Sequence, residues 1–405
     1  MAYLPRTLEA FARRASREFP VLLVTGARQV GKTTLLRRIR EARRTYVTLD
    51  DPGALALARE DPALFLQRFQ PPLLIDEIQY APGLLPHIKM MADESGLKGL
   101  FWLTGSQAFE LMHGVSESLA GRVAVVRLMG LTLAEARGEG RFAKPFPSGV
   151  TRRRNAEERI GLRELYRRIW RGSFPAMSAN RAPSPELFYG SYVQTYIQRD
   201  VRDLARVGDE AAFGRFVRAC AARTAQLLNL SDLARDAAIS VNTAKAWLSI
   251  LETSGLVYLL EPWHSNVTKR LVKTPKLFFA DTGLCSHLTQ WSSPETLEAG
   301  AMAGPILETW AVSEIVKSYC HAGMRPPVYF YRDKDQVEID LVIVRDGAMH
   351  PVEIKKTASP TASDARHFSR LDGFGLKVGR GTVLCLVDTD LPLTKNAIAM
   401  PVSWI

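Results

Sequence analysis

Apolar and polar positions follow different rhythms along this chain. Near the N-terminus the apolar runs are short and unbroken: "VLLVTG" at 21–26, "PPLLIDEIQ" at 71–79 and "GLFWLTGSQ" at 99–107. Runs of that length, closed by glycine or polar residues, predict buried strands. Helical spacing takes over from Thr33 onward, and again in "LRELYRRIWRGSFPAM" and "LFYGSYVQTYIQRDVRDLARV". Between these blocks, residues 137–161 are rich in Gly, Pro and charge and read as a linker. At 230–262 one helix, "SDLARDAA", turns tightly at Ile239 into a second, capped by Ser240 or Asn242. That second helix is expected to turn Ala246, Leu248, Ile250 and Leu251 inward, and two strands, "GLVYLLEP" and "KLFFADTGL", follow it.

Toward the C-terminus a helix over 300–320 puts Ile306, Leu307, Trp310, Ala311 and Ile315 on one apolar side. "PVYFYRDKDQVEIDLVIV" and "AMHPVEIKKT" then supply strands, joined by an "RDGA" turn into an antiparallel hairpin. These breaks divide the chain into 1–136, 137–212, 213–290 and 291–405, a multidomain α/β protein. At 405 residues the chain is long enough for several cores. Its apolar (46%) and charged (23%) fractions are those of a globular protein. No apolar run reaches the roughly 20 residues of a membrane-spanning helix, and no secretory h-region is legible, so a cytoplasmic protein without a membrane partner is expected. Cys220, Cys285, Cys320 and Cys385 are widely spaced, which favours neither a disulfide framework nor a zinc site. The net charge of +11 raises the expectation of a polyanionic partner such as nucleic acid.

The first strand empties into a loop with the spacing Gly26, Gly31, Lys32, Thr33, the GxxxxGK[ST] pattern in its strand–loop–helix context. Backbone N–H groups of such a loop curl around a phosphate at a helix N-terminus. Gly26, Ala27, Arg28, Gln29, Val30, Gly31, Lys32, Thr33 and Thr34 are therefore expected to hold a nucleotide. Lys32 would reach the β- and γ-phosphates, and the Thr33 hydroxyl would ligate Mg²⁺. "PPLLIDEIQ" delivers Asp76 toward the Mg²⁺ and Glu77 toward the attacking water as general base. At the tip of the third run, Thr104, Ser106 or Gln107 would sense the γ-phosphate, or simply end a strand. Arg122, after "SLAG", would reach a neighbouring subunit's γ-phosphate as an arginine finger, or serve a structural ion pair.

These residues resemble the AAA+ branch of the P-loop ATPases. "LDDP" at 49–52, "IDEIQYAPGLLPHIK", "LTGSQ" and "SLAGR" are similar to one prokaryotic AAA+ family in particular, whose members carry a C-terminal domain of unknown function. The resemblance implies a parallel-sheet core, ATP and Mg²⁺ as ligands, an α-helical lid after the linker, and a homo-oligomer (hexamer or dimer). "RGSFP" resembles the lid turn of that branch, but Ala176 stands where its arginine would follow the proline. Arg171 is then the nearest candidate for sensing nucleotide from the lid.

Two helices with a short turn and then a basic β-wing read as a winged helix-turn-helix. A DNA reading puts Asn242, Thr243 and Lys245 at a groove, and Lys269, Arg270 and Lys273, with Lys276, on phosphates. The other reading is a winged helix used for protein packing. No base code is legible, so backbone contact is the form expected. Thr151–Arg154 is a further basic run, either touching phosphate or solvated.

In "VEIKK", Glu353 and Lys355 project from one face of a strand, and the hairpin brings Asp340 toward them. With Glu308 on the preceding helix they resemble the set of the PD-(D/E)xK nuclease fold. That resemblance implies carboxylates holding Mg²⁺ or Mn²⁺ and Lys355, not a ligand, acting on water or on developing charge. Ile339 stands where the motif has proline, and domains of this fold also serve as binding modules without cleavage. Together these features point to an ATPase coupled to DNA binding or remodelling, with branched or forked DNA, as acted on by junction resolvases, the preferred class. An ATP-dependent nuclease and a nucleotide-switched regulatory module are the alternatives.

Overall fold

The computed structural model of the chain describes residues 3–106, 115, 118–147, 160–179, 182–196, 209–264 and 274–405. The candidates Gln107, Thr151–Arg154, Lys269, Arg270 and Lys273 lie outside these residues.

Strands β1 (Val21–Gly26), β2 (Thr45–Thr48), β3 (Leu73–Asp76), β4 (Phe101–Ser106) and β5 (Val123–Arg127) form a parallel sheet in the order β2-β3-β4-β1-β5. Alternate residues of β1 enter two cores. Leu22 and Val24 pack with Leu8 and Ala12 of α1 (Leu8–Glu18) and Leu35 and Leu36 of α2 (Lys32–Ile39). Val21 and Leu23 pack with Ala58 of α3 (Pro52–Glu60), Phe65 of α4 (Pro62–Arg68) and Ile88 of α5 (Leu84–Ser95). Cover on both faces explains why the strands read as unbroken apolar runs. Each such Leu or Phe, fully buried, is worth about 1.5–3 kcal/mol.

After β5 the chain forms the short α6 (Leu133–Ala136), closed by a Thr132–Glu135 capping box. α7 (Leu162–Arg171) and α8 (Pro185–Tyr196) follow, and the turn between them brings Pro175 beside Gly31 of the nucleotide loop. Helices α9 (Glu210–Ala222), α10 (Leu230–Ala237) and α11 (Val241–Thr253) pack on a three-stranded sheet, ordered β6-β8-β7, of β6 (Gln226–Leu227), β7 (Val257–Leu260) and β8 (Lys276–Phe279). Ser240 caps α11 by accepting from the Thr243 N–H at 3.0 Å. The inner face of α11 is Ala244, Trp247, Leu248 and Leu251, while Ala246 is exposed and Ile250 half-buried. Trp247 sets this phase, because its ring meets Phe213 and Phe216 edge-on.

The C-terminal region holds α12 (Thr282–Leu288), α13 (Pro294–Ala299), α14 (Ala303–His321) and a mixed seven-stranded sheet. Its strands are β9 (Val328–Arg332), β10 (Glu338–Arg345), β11 (Ala348–Ile354), β12 (Lys377–Val378), β13 (Gly381–Cys385), β14 (Leu391–Thr394) and β15 (Ala397–Pro401). β10 and β11 form the expected hairpin, with Leu341 opposite Val352 and Arg345 opposite Ala348. Asp346 and Gly347 at its tip both have positive φ (53° and 74°), which two-residue hairpin turns require. β11, β13 and β15 run parallel. α14 is buried on nearly every side rather than along one stripe, because it is packed between this sheet and the first domain. No helix among the described residues is long and apolar enough to cross a membrane.

Candidate functional site

The nucleotide loop is shaped by two glycines. Gly31 has φ 96°, a left-handed backbone at the start of α2 that strongly favours glycine. A Cβ on Gly26 would lie 2.0 Å from the Leu128 carbonyl oxygen, so the segment after β5 presses directly on the loop. Val30 and Lys32 are buried, Ala27, Arg28 and Thr33 half-buried, and Gln29 and Thr34 exposed. Lys32 Nζ donates to the carbonyl oxygens of Gly26 (3.1 Å) and Ala27 (3.0 Å), so its ammonium lies inside the curl of the loop.

Asp76 lies at the end of β3, wrapped in hydroxyls. Thr33 Oγ1 donates to its Oδ1 at 2.7 Å, Thr104 Oγ1 donates to the same oxygen, and Tyr46 donates to Oδ2 at 3.2 Å. Burial, and then the Asp76 carboxylate, raises the Tyr46 phenol above its ordinary pKa, so it stays a donor. Glu77 follows in the left-handed region (φ 59°, ψ 47°). Its N–H donates to Thr104 Oγ1 at 3.1 Å, and its carboxylate accepts from the Gln79 amide. A non-glycine residue there costs about 1–3 kcal/mol and marks a position held by its surroundings. A hydroxyl touching a carboxylate beside a phosphate-type loop suits Mg²⁺, a hard cation that takes oxygen ligands, and Thr33 and Asp76 are the residues that would hold it. Tyr46 and Thr104 supply this setting without belonging to the loop motif. Tyr46 left no sequence signal beyond a strand-like "TYVT".

The remaining nucleotide candidates are placed as follows. Ser106 pairs its backbone with Gly26, and its side chain lies outside the described atoms. Arg122 makes a two-pronged ion pair with Asp93 of α5 and donates to the Ala120 carbonyl. Arg171 donates to the Met177 carbonyl at 2.9 Å, closing its own turn. Of the DNA candidates, Asn242 and Lys245 are exposed on the first turns of α11, and Thr243 Oγ1 shares a 2.8 Å hydrogen bond with Ser240.

Behind the loop lies a buried network that the sequence did not announce. Arg6 donates to the carbonyls of Val30 (2.9 Å) and Met129 (2.7 Å) and lies 3.2 Å from Glu135. The other Glu135 oxygen is 3.1 Å from His321 Nδ1, and His321 Nε2 accepts from the Met129 N–H at 3.1 Å. That acceptor role assigns the ring proton to Nδ1. Both Glu135 and His321 are fully buried. Burial would raise Glu135, but Arg6 and His321 hold it well below the ordinary carboxylate range. Burial depresses His321 in spite of Glu135 beside it. Two more α14 residues continue the seam: Lys317 donates to the Leu131 carbonyl, and Glu314 accepts from the Leu133 N–H. The C-terminal helix is thereby tied to the segment that backs the nucleotide loop.

At the C-terminal acids the wiring differs. Lys276, on β8, is 3% exposed, and its Nζ lies 3.0 Å from Glu308 and 2.5 Å from Glu338. Glu338 also pairs with Arg332 at 3.1 Å. Lys355 holds Glu353 Oε1 at 2.6 Å, and Asp340 Oδ2 accepts the Ile354 N–H at 2.8 Å. Glu353 Oε2 is buried with no hydrogen-bond partner among the described residues. Burial, then Asp340, pushes Glu308 up to about 8 and Glu353 up to about 7. Burial raises Asp340 as well, against Lys355 and Lys276. Among the described residues no group of three His, Cys, Asp or Glu side chains is placed to hold a metal ion. As arranged, Glu308, Asp340 and Glu353 do not fit the divalent centre expected from their pattern: Lys276 is paired with Glu308, Lys355 with Glu353, and Asp340 accepts a backbone N–H. Lys276 itself is a buried cluster residue rather than a solvent-facing wing lysine.

Residues 18–137 match the family model of an AAA domain. Residues 303–405 and 162–295 each match a domain of unknown function (DUF4143 and DUF8612). Uncharacterized proteins of Mycobacterium tuberculosis and Mycobacterium bovis are each 29% identical over 402 residues, covering 99% of this chain and 84% of theirs. Among solved structures, a Walker-type ATPase of Pyrococcus abyssi aligns at 18% identity over 71% of this chain and 96% of its own, with a TM-score of 0.43. AMPPCP-bound DnaA from Aquifex aeolicus aligns at 14% identity over 60% and 85%, with a TM-score of 0.25. The chain thus carries an AAA-type P-loop ATPase domain followed by a C-terminal domain of unknown function.

Proposed function

We propose that this P-loop ATPase hydrolyses ATP with Mg²⁺ and couples the cycle to binding or remodelling DNA, with branched or forked DNA preferred. The observation that carries the ATPase reading is the Thr33–Asp76 hydrogen bond, with Glu77 next in chain, beside the loop that encloses Lys32. In this reading the loop N–H groups and Lys32 bind and orient the phosphates. Glu77 takes the proton of the attacking water. Bound Mg²⁺ supplies charge neutralisation at the β- and γ-phosphates. Arg122 reaches a neighbouring subunit's nucleotide only by leaving Asp93, which makes its role conditional on a homo-oligomer.

The DNA half of the reading is supported by the +11 charge and by the element order α9-β6-α10-α11-β7-β8, which is that of a winged helix. Asn242 and Lys245, exposed on α11, suit contact with a phosphate backbone. The mixed sheet with its β10–β11 hairpin and α14 is read as a nuclease-like fold used to hold DNA. Its lysine-filled acids give the cleaving alternative no support.

The test is ATP turnover by the full chain with and without linear, forked and four-way DNA, alongside DNA binding at several salt concentrations. The reading predicts turnover that branched DNA stimulates, and binding that weakens steeply with salt. ATP turnover with neither effect overturns the DNA half and leaves a nucleotide-switched protein module.

A further inference from the structure

Two neighbouring sets of charges lie where β8, α14, β9, β10 and β11 come together: Lys276 with Glu308 and Glu338, the latter also on Arg332, and Lys355 with Glu353, whose strand neighbour Ile354 donates to Asp340. A divalent ion there needs several oxygens at about 2.0–2.6 Å, free of other cations. Lys276 Nζ already lies within 3.0 Å of two of the acids. Its backbone is held on both sides, opposite Leu227 of β6 and Leu260 of β7, which fixes the base of a side chain that is only 4% exposed. Its buried ammonium also lies 5.7 Å from the centre of the Phe330 ring. One oxygen is left over: Glu353 Oε2 is enclosed, on a side chain 7% exposed, with no hydrogen-bond partner among the described residues. An acceptor of that kind gains from any added cation.

We infer that the Lys276 ammonium is the resident cation of this cluster, and that it shuts out a divalent metal which the same carboxylates would otherwise take. The chain as folded is then closed to metal-dependent phosphodiester cleavage at this place. Glu308 and Glu338 instead tie β8 of the three-stranded sheet to α14 and β10. Removing the ammonium while keeping the apolar stem leaves Glu308 and Glu338 without the cation they share, near Asp340 and a Glu353 oxygen that has no hydrogen-bond partner among the described residues. Such a set calls for a hard divalent ion. This inference concerns the C-terminal acids alone and does not rest on the ATPase or DNA reading.

The test is Mn²⁺ uptake by the nucleotide-free full chain, read as loss of the free-ion EPR signal. Wild type, Asp340→Asn, Lys276→Met and Lys276→Met/Asp340→Asn are compared, with circular dichroism to check folding. Lys276→Met is expected to take up one more Mn²⁺ per chain than wild type, at least about tenfold tighter than any binding there in wild type. The second substitution is expected to abolish that gain, and Asp340→Asn alone to change nothing. Mn²⁺ uptake in wild type that Asp340→Asn removes overturns the inference, and so does a folded Lys276→Met that gains no ion. If Lys276→Met does not fold, the wild-type and Asp340→Asn pair still decides. Equal uptake supports the resident ammonium, and a loss contradicts it.

Discussion

The nucleotide site and the C-terminal cluster each contain buried lysines and carboxylates, yet they handle that charge in opposite ways. Asp76 is surrounded by the hydroxyls of Thr33, Thr104 and Tyr46, groups that can turn to accommodate a cation. Lys32 meanwhile points at carbonyl oxygens, partners readily exchanged for phosphate. At the other end of the chain Glu308 and Glu338 share the buried Lys276, and Glu353 holds Lys355. One region is organised to receive charge from outside, and the other already contains it. A similar inventory of residue types therefore leads to different chemistry, decided by what stands between the carboxylates.

The sharpest way to break this contrast is at the loop. Lys32→Ala should lower ATP turnover by at least about a hundredfold, as removal of a positioned cationic donor does. Near-normal turnover would mean that the loop is not the reactive phosphate site. A second large effect is expected on stability. Glu135→Ala leaves Arg6 buried against the Val30 and Met129 carbonyls without its carboxylate, and losing one partner of a buried pair costs about 3–5 kcal/mol. Denaturant unfolding measures it, and a change below 1 kcal/mol, roughly the value of an exposed pair, would show the network to be dispensable.

Smaller effects refine the picture. Gly31→Ala places a side chain at φ 96° and should cost about 1–3 kcal/mol, read as a lowered Tm. The Glu135–His321 pair predicts a pH dependence whose sign is fixed by both groups. His321 stays neutral in the fold while the unfolded ring gains a proton below about pH 6.5, so stability falls as pH drops through that value. Glu135, held below its ordinary pKa, stabilises the fold above the carboxylate range and loses that contribution as pH falls further. Between pH 7.5 and 4 the raised carboxyls of Glu308, Asp340 and Glu353 act in the opposite direction. The pair is therefore read from the difference between wild-type and His321→Gln melting curves, with the wild type losing more stability toward acid. His321→Gln should flatten the upper part, by at most about 1.4 kcal/mol per pH unit. Lys245→Ala is the mildest change, expected to reduce the salt slope of DNA binding by about one. An unchanged slope would remove α11 from the DNA-facing surface.

Legibility in the sequence followed the range of the interactions. The strand, loop and helix around Gly26, Gly31 and Lys32 depend on neighbours in the chain, and so does the hairpin through Asp346 and Gly347. Their spacing was enough. Asp76 beside Thr33 was legible from the partner motif "PPLLIDEIQ", although β4 stands between β3 and β1 in the sheet. The His321–Glu135 contact joins residues nearly two hundred positions apart, and no local period encodes it. Glu314, Lys317 and His321 are buried in α14 as well, outside the apolar side that the sequence marks, and they carry no local signal of it. Lys276 was misleading for a related reason. Next to the basic stretch ending at Lys273 it reads as one more wing lysine, and only the acids of α14 and β10 draw it inward.

The central claim, that the loop and the Asp76–Glu77 strand form a hydrolytic ATP site, is tested most directly by Glu77→Gln. Phosphate release and ATP binding are measured on the same preparation with Mg²⁺ present. Removing a general base while keeping its shape predicts a loss of about 10²–10⁴-fold in release, with ATP affinity little changed. Wild-type release by the Glu77→Gln chain would contradict the account.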